Sequence, residues 1–159
     1  MTEPNDSVTT WPPKRVLVPL DFSKHSAHAL DYAVNLAEAV DATVWVLHVG
    51  TPVPPIYSPM PESTAAQAQI WGDMLAEREA IQRREIAEAT APYNGREVAI
   101  QIVWREGEAA TAIVEAANEV DAHMIVMGSH GRTGIKRALM GSVAERTARL
   151  SSRPVLVLR

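Results

Sequence analysis

The chain has 159 residues, about one domain's worth at the usual ~100–200 residues each. Its 47% hydrophobic and 21% charged residues are the balance of a packed globular fold rather than of a disordered chain. The absence of cysteine excludes disulfide frameworks, thiolate metal sites, iron–sulfur clusters and cysteine nucleophiles, and a formal charge of −4 lacks the basic footprint of nucleic-acid binding.

Met1 to Thr10 is polar with no apolar run, so no signal peptide is expected, and no run approaches the ~20 apolar residues of a membrane span. A soluble, cytoplasmic protein is the expectation, with residues 1–13 as a loose arm and 14–159 as one domain. Val16 to Leu20 is a buried-strand run that ends at Asp21-Phe22-Ser23. Ala27, Leu30, Val34 and Ala37 then recur at helical spacing. Thr43 to Val49, β-branched and aromatic, predicts a second strand.

Five prolines among the twelve residues Gly50 to Pro61 forbid regular structure and predict a loop at the site end. A long helix is expected from Thr64 to about Pro92, with Ile70, Met74, Leu75, Ile81 and Ile86 on one side and Glu77, Arg84 and Glu88 on the other. Asn94-Gly95 closes it. Val98 to Trp104 partly alternates apolar and polar, as a sheet edge does. Ala109, Ala112, Ile113, Ala116, Ala117 and Val120 form another helical stripe, and Met124 to Met127 a continuous buried strand. Ser142 to Leu150 reads as a last helix opened by a Ser142-x-x-Glu145 capping box. Val155 to Leu158 follows Pro154 as a final strand.

Strands that alternate with helices, and are apolar at nearly every position, imply a parallel sheet covered on both faces. The predicted fold is α/β, a single open five-stranded sheet. In such sheets ligands sit beyond the carboxyl ends of the strands, where strand order reverses. Asp21, Ser23 and Gly50 fall at such ends. So does Gly128-Ser129-His130-Gly131-Arg132-Thr133-Gly134, which leads through Lys136 and Arg137 to Gly141-Ser142 at a helix start. Glycines that let backbone N–H groups reach an anion, a helix N-terminus and three nearby cations together describe a phosphate cradle. It is neither a Walker A loop nor a dinucleotide fingerprint. The plainer alternative is a surface loop whose glycines only turn the chain.

The spacing Gly128-x2-Gly131-x9-Gly141-Ser142 resembles the nucleotide-binding signature of the universal stress protein family. Val16 to Ser23 is similar to that family's opening strand, Leu47-His48-Val49 to its second-strand ending, Val126 to Gly131 to its fourth and Pro154 to Val157 to its closing one. The resemblance covers nearly the whole chain. It implies strand order 3-2-1-4-5, an adenine nucleotide alpha hydrolase-like fold, and the ATP-binding branch of the family, in which ATP carries Mg2+ or Mn2+ on its phosphates. By the same resemblance Pro19 and Val49 would line the adenine pocket, Asp21 would face the ribose or a phosphate-bound metal, and Gly128 would let the ribose approach. The backbone of His130, Gly131, Arg132 and Thr133, with Gly141, Ser142 and Val143, would hold the phosphates, Ser129 would count among the nucleotide-binding residues, and Gly134 lies outside the core signature. It also implies a homodimer paired through residues 154–158.

Plainer roles compete with these. Asp21 is also a typical turn former or helix cap. His25 and His28 are helical neighbours with no third metal ligand evident, and His48 fits a satisfied core position. Trp45, Trp71 and Trp104 fit packing positions. The sequence-based expectation is a nucleotide-dependent regulator or sensor in a stress response. A slow ATPase or phosphoryl-transfer enzyme, and a nucleotide-independent interaction protein of the same fold, stand as the alternatives. No water-activating base beyond Asp21 and His130 is visible, so at most weak hydrolysis is expected.

Overall fold

The computed structural model describes residues 11–51, 64–131 and 140–159. The chain divides into two compact units, residues 1–51 with 95–159, and residues 52–94. The first unit holds β1 (Arg15–Pro19), α1 (Lys24–Val40), β2 (Thr43–Gly50), β3 (Ala99–Glu106), α3 (Ala109–Glu119), β4 (Met124–Gly128), α4 (Ser142–Leu150) and β5 (Val155–Leu158), while α2 (Ala65–Thr90) belongs to the second.

The five strands form one all-parallel sheet in the order β3-β2-β1-β4-β5. This is the expected order. Strand pleating sends Val16 and Val18 to one face and Leu17 to the other, and all three are fully buried. On the Leu17 face, Leu47, Ile113, Ala116, Ala117, Ile125 and Met127 make a continuous core with Ala144 of α4. Trp45 packs against the edge of that core. The opposite face is covered by α1, which buries Ala29, Leu30, Ala33, Val34 and Ala37.

Pro13 is buried although Trp11 and Pro12 are exposed, so the sequence-based arm gives way to packed chain by Pro13. The earlier part of the arm, and most of the proline-rich loop, lie outside the described residues.

α2 departs from expectation. Its bounds agree, and Thr64 caps it in a reciprocal capping box with Gln67. The presumed apolar side does not exist, however: Ile86 is buried, whereas Ile70, Met74, Leu75 and Ile81 are exposed. At about 100° per residue, Ile70, Met74 and Ile81 lie within about 40° of one another, and Ile86 lies more than about 100° further round. Glu77, Arg84 and Glu88 fall back on the Ile70 side, so charged and apolar residues interleave instead of separating.

Candidate nucleotide-binding site

The order β3-β2-β1-β4-β5 reverses direction between β1 and β4, and a cleft of about 540 Å³ opens beyond the carboxyl ends of those strands. That volume is within the ~300–1,000 Å³ usual for small-molecule sites. Pro19, Leu20 and Asp21 enter it from the end of β1, Leu47 and Val49 from β2, and Met127 from β4. Ala109 and Ile113 of α3 close the apolar side. The polar side is built from Gly128-Ser129-His130-Gly131 and from Gly141 to Glu145.

Ten of the sequence-predicted residues therefore meet around one cleft: Pro19, Asp21, Val49, Gly128, Ser129, His130, Gly131, Gly141, Ser142 and Val143. Arg132, Thr133 and Gly134 lie outside the described residues. Leu20, Leu47, Ile113, Met127 and Glu145 line the cleft as well, and the sequence offered no reason to separate them from ordinary core or helix positions.

The glycines are held by contacts. At Gly128 a Cβ would sit 2.7 Å from the backbone carbon of His25, so the absent side chain is what lets α1 pack on β4. The expectation that this glycine admits a ribose is thereby narrowed: its backbone lines the cleft, while its Cβ direction faces α1. At Gly141 a Cβ would come within 2.9 Å of the Ser129 carbonyl, which accepts a 2.7 Å hydrogen bond from the Gly141 N–H. At Gly131 it would meet the Asp21 carboxylate at 2.7 Å. The β1 and β4 loops thus touch through Asp21 and Gly131. Asp21 also accepts the Ser23 N–H at 3.0 Å, so its turn-forming role and its place in the cleft coexist.

The α4 N-terminus differs from the expected capping box. Gly141 is the N-cap, no side chain among the described residues caps the helix, and Ser142 is already its first helical residue. The Ser-x-x-Glu pattern is displaced by one position, because the Gly141 N–H to Ser129 bond fixes the chain turn at the glycine. A first turn without intrahelical acceptors for its N–H groups, lining the cleft and with no side-chain cap among the described residues, is the kind of helix end that suits an anion.

Ser129 is nearly fully buried, donates its N–H to the Leu158 carbonyl, and places its hydroxyl 3.0 Å from Nδ1 of His130. The His130 and His25 rings lie 5.5 Å apart. Glu108 caps α3 through the Ala110 and Thr111 N–H groups and meets Arg146 of α4 at 3.7 Å, which joins the two helices beside the cleft. The Thr111 hydroxyl, then the backbone N–H groups and Arg146, hold the Glu108 carboxyl below its ordinary value. His48 is buried and satisfied, with Nδ1 3.0 Å from the Leu20 carbonyl, and Trp104 meets its ring edge-on.

An open parallel α/β sheet with a glycine-lined cleft at its reversal point is the architecture of the doubly wound class, in which that point is the usual place for a ligand. Residues 12–159 match the universal stress protein family, and the chain belongs to it. It is 34% identical to universal stress protein MJ0531 of Methanocaldococcus jannaschii, over 92% of this chain and 82% of that one. Among solved structures, it resembles a universal stress protein in complex with cAMP, with 28% identity and a TM-score of 0.61 over 92% of this chain and 97% of the other. It also resembles the Archaeoglobus fulgidus universal stress protein in complex with dAMP, with 25% identity and a TM-score of 0.51 over 92% and 98% of the two chains. Among the described residues no helix is long and apolar enough to cross a membrane.

Proposed function

We propose that this protein binds ATP in the cleft beyond β1 and β4 and acts as a nucleotide-dependent regulator in a stress response. The observation that carries the reading is the junction of Asp21, Gly131 and the uncapped α4 N-terminus on the wall of one cleft. Apolar Val49, Leu47 and Met127 suit a purine, and the α4 N–H groups suit phosphate oxygens. Two relatives of this fold hold adenine nucleotides, cAMP and dAMP, which supports the adenine class. Asp21 would face the ribose or a Mg2+ or Mn2+ ion carried on the phosphates, and such an ion would neutralise their charge. The loop from Arg132 to Gly134 completes the cradle in this reading.

Binding, with at most weak hydrolysis, is the activity proposed. The protein acts in the cytoplasm as a homodimer paired through residues 154–158, since β5 is an edge strand of the sheet. A monomeric mass by light scattering at micromolar concentration would refute the dimer. For the nucleotide, protein purified without added ligand is denatured and its supernatant resolved by HPLC. Adenine nucleotide near one per chain, with ATP predominant, is the expected result. AMP or cAMP in its place would correct the ligand. If no nucleotide is released and added MgATP does not bind, the reading fails and an interaction protein of the same fold takes its place.

A further inference from the structure

Phe22, between the cleft residue Asp21 and the α1 cap Ser23, has φ of 63°. A bulky side chain in the left-handed region is a genuine outlier, and such backbone persists only where the surroundings over-determine it. The surroundings here are His48 and Trp104. The Phe22 ring lies 5.0 Å from the His48 ring, and the Trp104 ring meets His48 edge-on at 5.5 Å. The Leu20 carbonyl can only accept, so at 3.0 Å the His48 Nδ1 is the donor and the tautomer is set. The imidazole thus grips the chain on both sides of Asp21: Leu20 through a hydrogen bond, Phe22 through its ring. His48 itself is absent from the cleft wall, which its neighbours Leu47 and Val49 line.

The geometry points to His48 as a positioning residue for the nucleotide site. Together with Phe22 it holds the β1–α1 turn in its left-handed form, so that the Asp21 carboxylate lies against Gly131. Released, Phe22 returns to ordinary backbone angles and Asp21 swings away from the cleft. The inference rests on the proposed nucleotide site for its effect on affinity, but its structural half can be read without nucleotide.

Two substitutions at His48 separate its roles. His48→Phe keeps a ring and loses the donor, whereas His48→Asn keeps a donor near the Nδ1 position. In nucleotide-free protein, the Gly131 amide resonance is expected to move in His48→Phe and to move less in His48→Asn, which keeps the donor to Leu20 but lacks the ring against Phe22. An unmoved Gly131 in His48→Phe overturns the inference whether or not nucleotide binds. With MgATP, His48→Phe is expected to weaken binding about fivefold to tenfold, the scale of one lost hydrogen bond, and His48→Asn is expected to weaken it less. On an Asp21→Asn background, His48→Phe is expected to cause no further loss. Additive losses in that double variant would show that His48 does not act through Asp21. Wild-type protein that binds no MgATP would instead overturn the proposed function, leaving the Gly131 resonance to decide this inference.

Discussion

At the amino end of the sheet the backbone N–H groups of Lys14 and Arg15 both donate to His123 Nδ1 at 3.1 Å, and the His123 N–H returns a bond to the Arg15 carbonyl. Arg15 and Arg153 converge on the two oxygens of Asp121, at 2.5 and 3.2 Å, and Arg153 also donates to the Ala122 carbonyl. At the carboxyl end, glycines, an uncapped helix start and a carboxylate face a cleft. Both ends are rich in polar groups. At the first most are turned onto one another, tying β1 to the segments before β4 and β5, and of the buried side-chain atoms in that cluster Arg153 Nε alone lacks a partner among the described residues. At the second no side chain among the described residues caps the first backbone donors of α4. The lesson is that polarity alone does not mark a site. A polar cluster whose groups pair mainly with one another is structural, and one that leaves donors facing a cavity is available to a ligand.

The contrast is broken most severely by Gly128→Val. It lies at the cleft end, yet its new side chain would strike the α1 backbone at His25. Urea denaturation is expected to show a loss of about 3 kcal/mol, together with weakened nucleotide binding. Next comes the amino end. His123→Leu strips the acceptor from two backbone N–H groups and is expected to cost about 2 kcal/mol, with MgATP affinity unchanged in a titration calorimeter. A change in affinity there would mean that the two ends are coupled.

Acid sharpens the same contrast. Burial first, and then the Arg15 charge, hold the His123 pKa below its ordinary value. The unfolded chain therefore takes up a proton that the folded one resists, and stability falls as pH drops below about 6.5, by at most about 1.4 kcal/mol per pH unit. The Asp121 carboxyl is lowered, first by its hydrogen bond from Arg153. Its contribution is whole above its unfolded value near 3.9 and is lost as pH falls through the folded one. His123→Asn, which keeps an acceptor without a titrating ring, is expected to flatten the melting curve's dependence on pH between about 6.5 and 4. The smallest stability effect is expected for Gly131→Ala. Among the described residues its Cβ meets only the end of the Asp21 side chain, so stability should hold within about 0.5 kcal/mol. MgATP affinity should nonetheless fall severalfold in the same calorimetric measurement.

Much of this was legible in the sequence, for physical reasons. Continuous apolar runs such as Val16 to Leu20 and Met124 to Met127 mark strands buried on both faces, and glycine clusters mark the loops between strand and helix. Local patterns misled where three-dimensional contacts decide. Ser142-x-x-Glu145 has capping-box spacing, but the Ser129 carbonyl moves the cap to Gly141. The α2 residues Ile70 and Ile86 seemed to share a side only because their angular separation went uncounted. Phe22 shows no sign of its left-handed backbone, because the cause lies in His48, on another strand. The Arg15–Asp121–His123–Arg153 cluster joins segments more than a hundred residues apart, and no short motif records it.

Nucleotide is expected to occupy the carboxyl end of the sheet and to leave the amino end untouched. Titration of MgATP into the protein, followed residue by residue through amide resonances, tests it most directly. Saturable shifts at Asp21, Gly128, Gly131 and Ser142 to Ala144, with Arg15, Asp121 and His123 stationary, are the expected result. Shifts confined to the amino end, or none at millimolar MgATP, would contradict it.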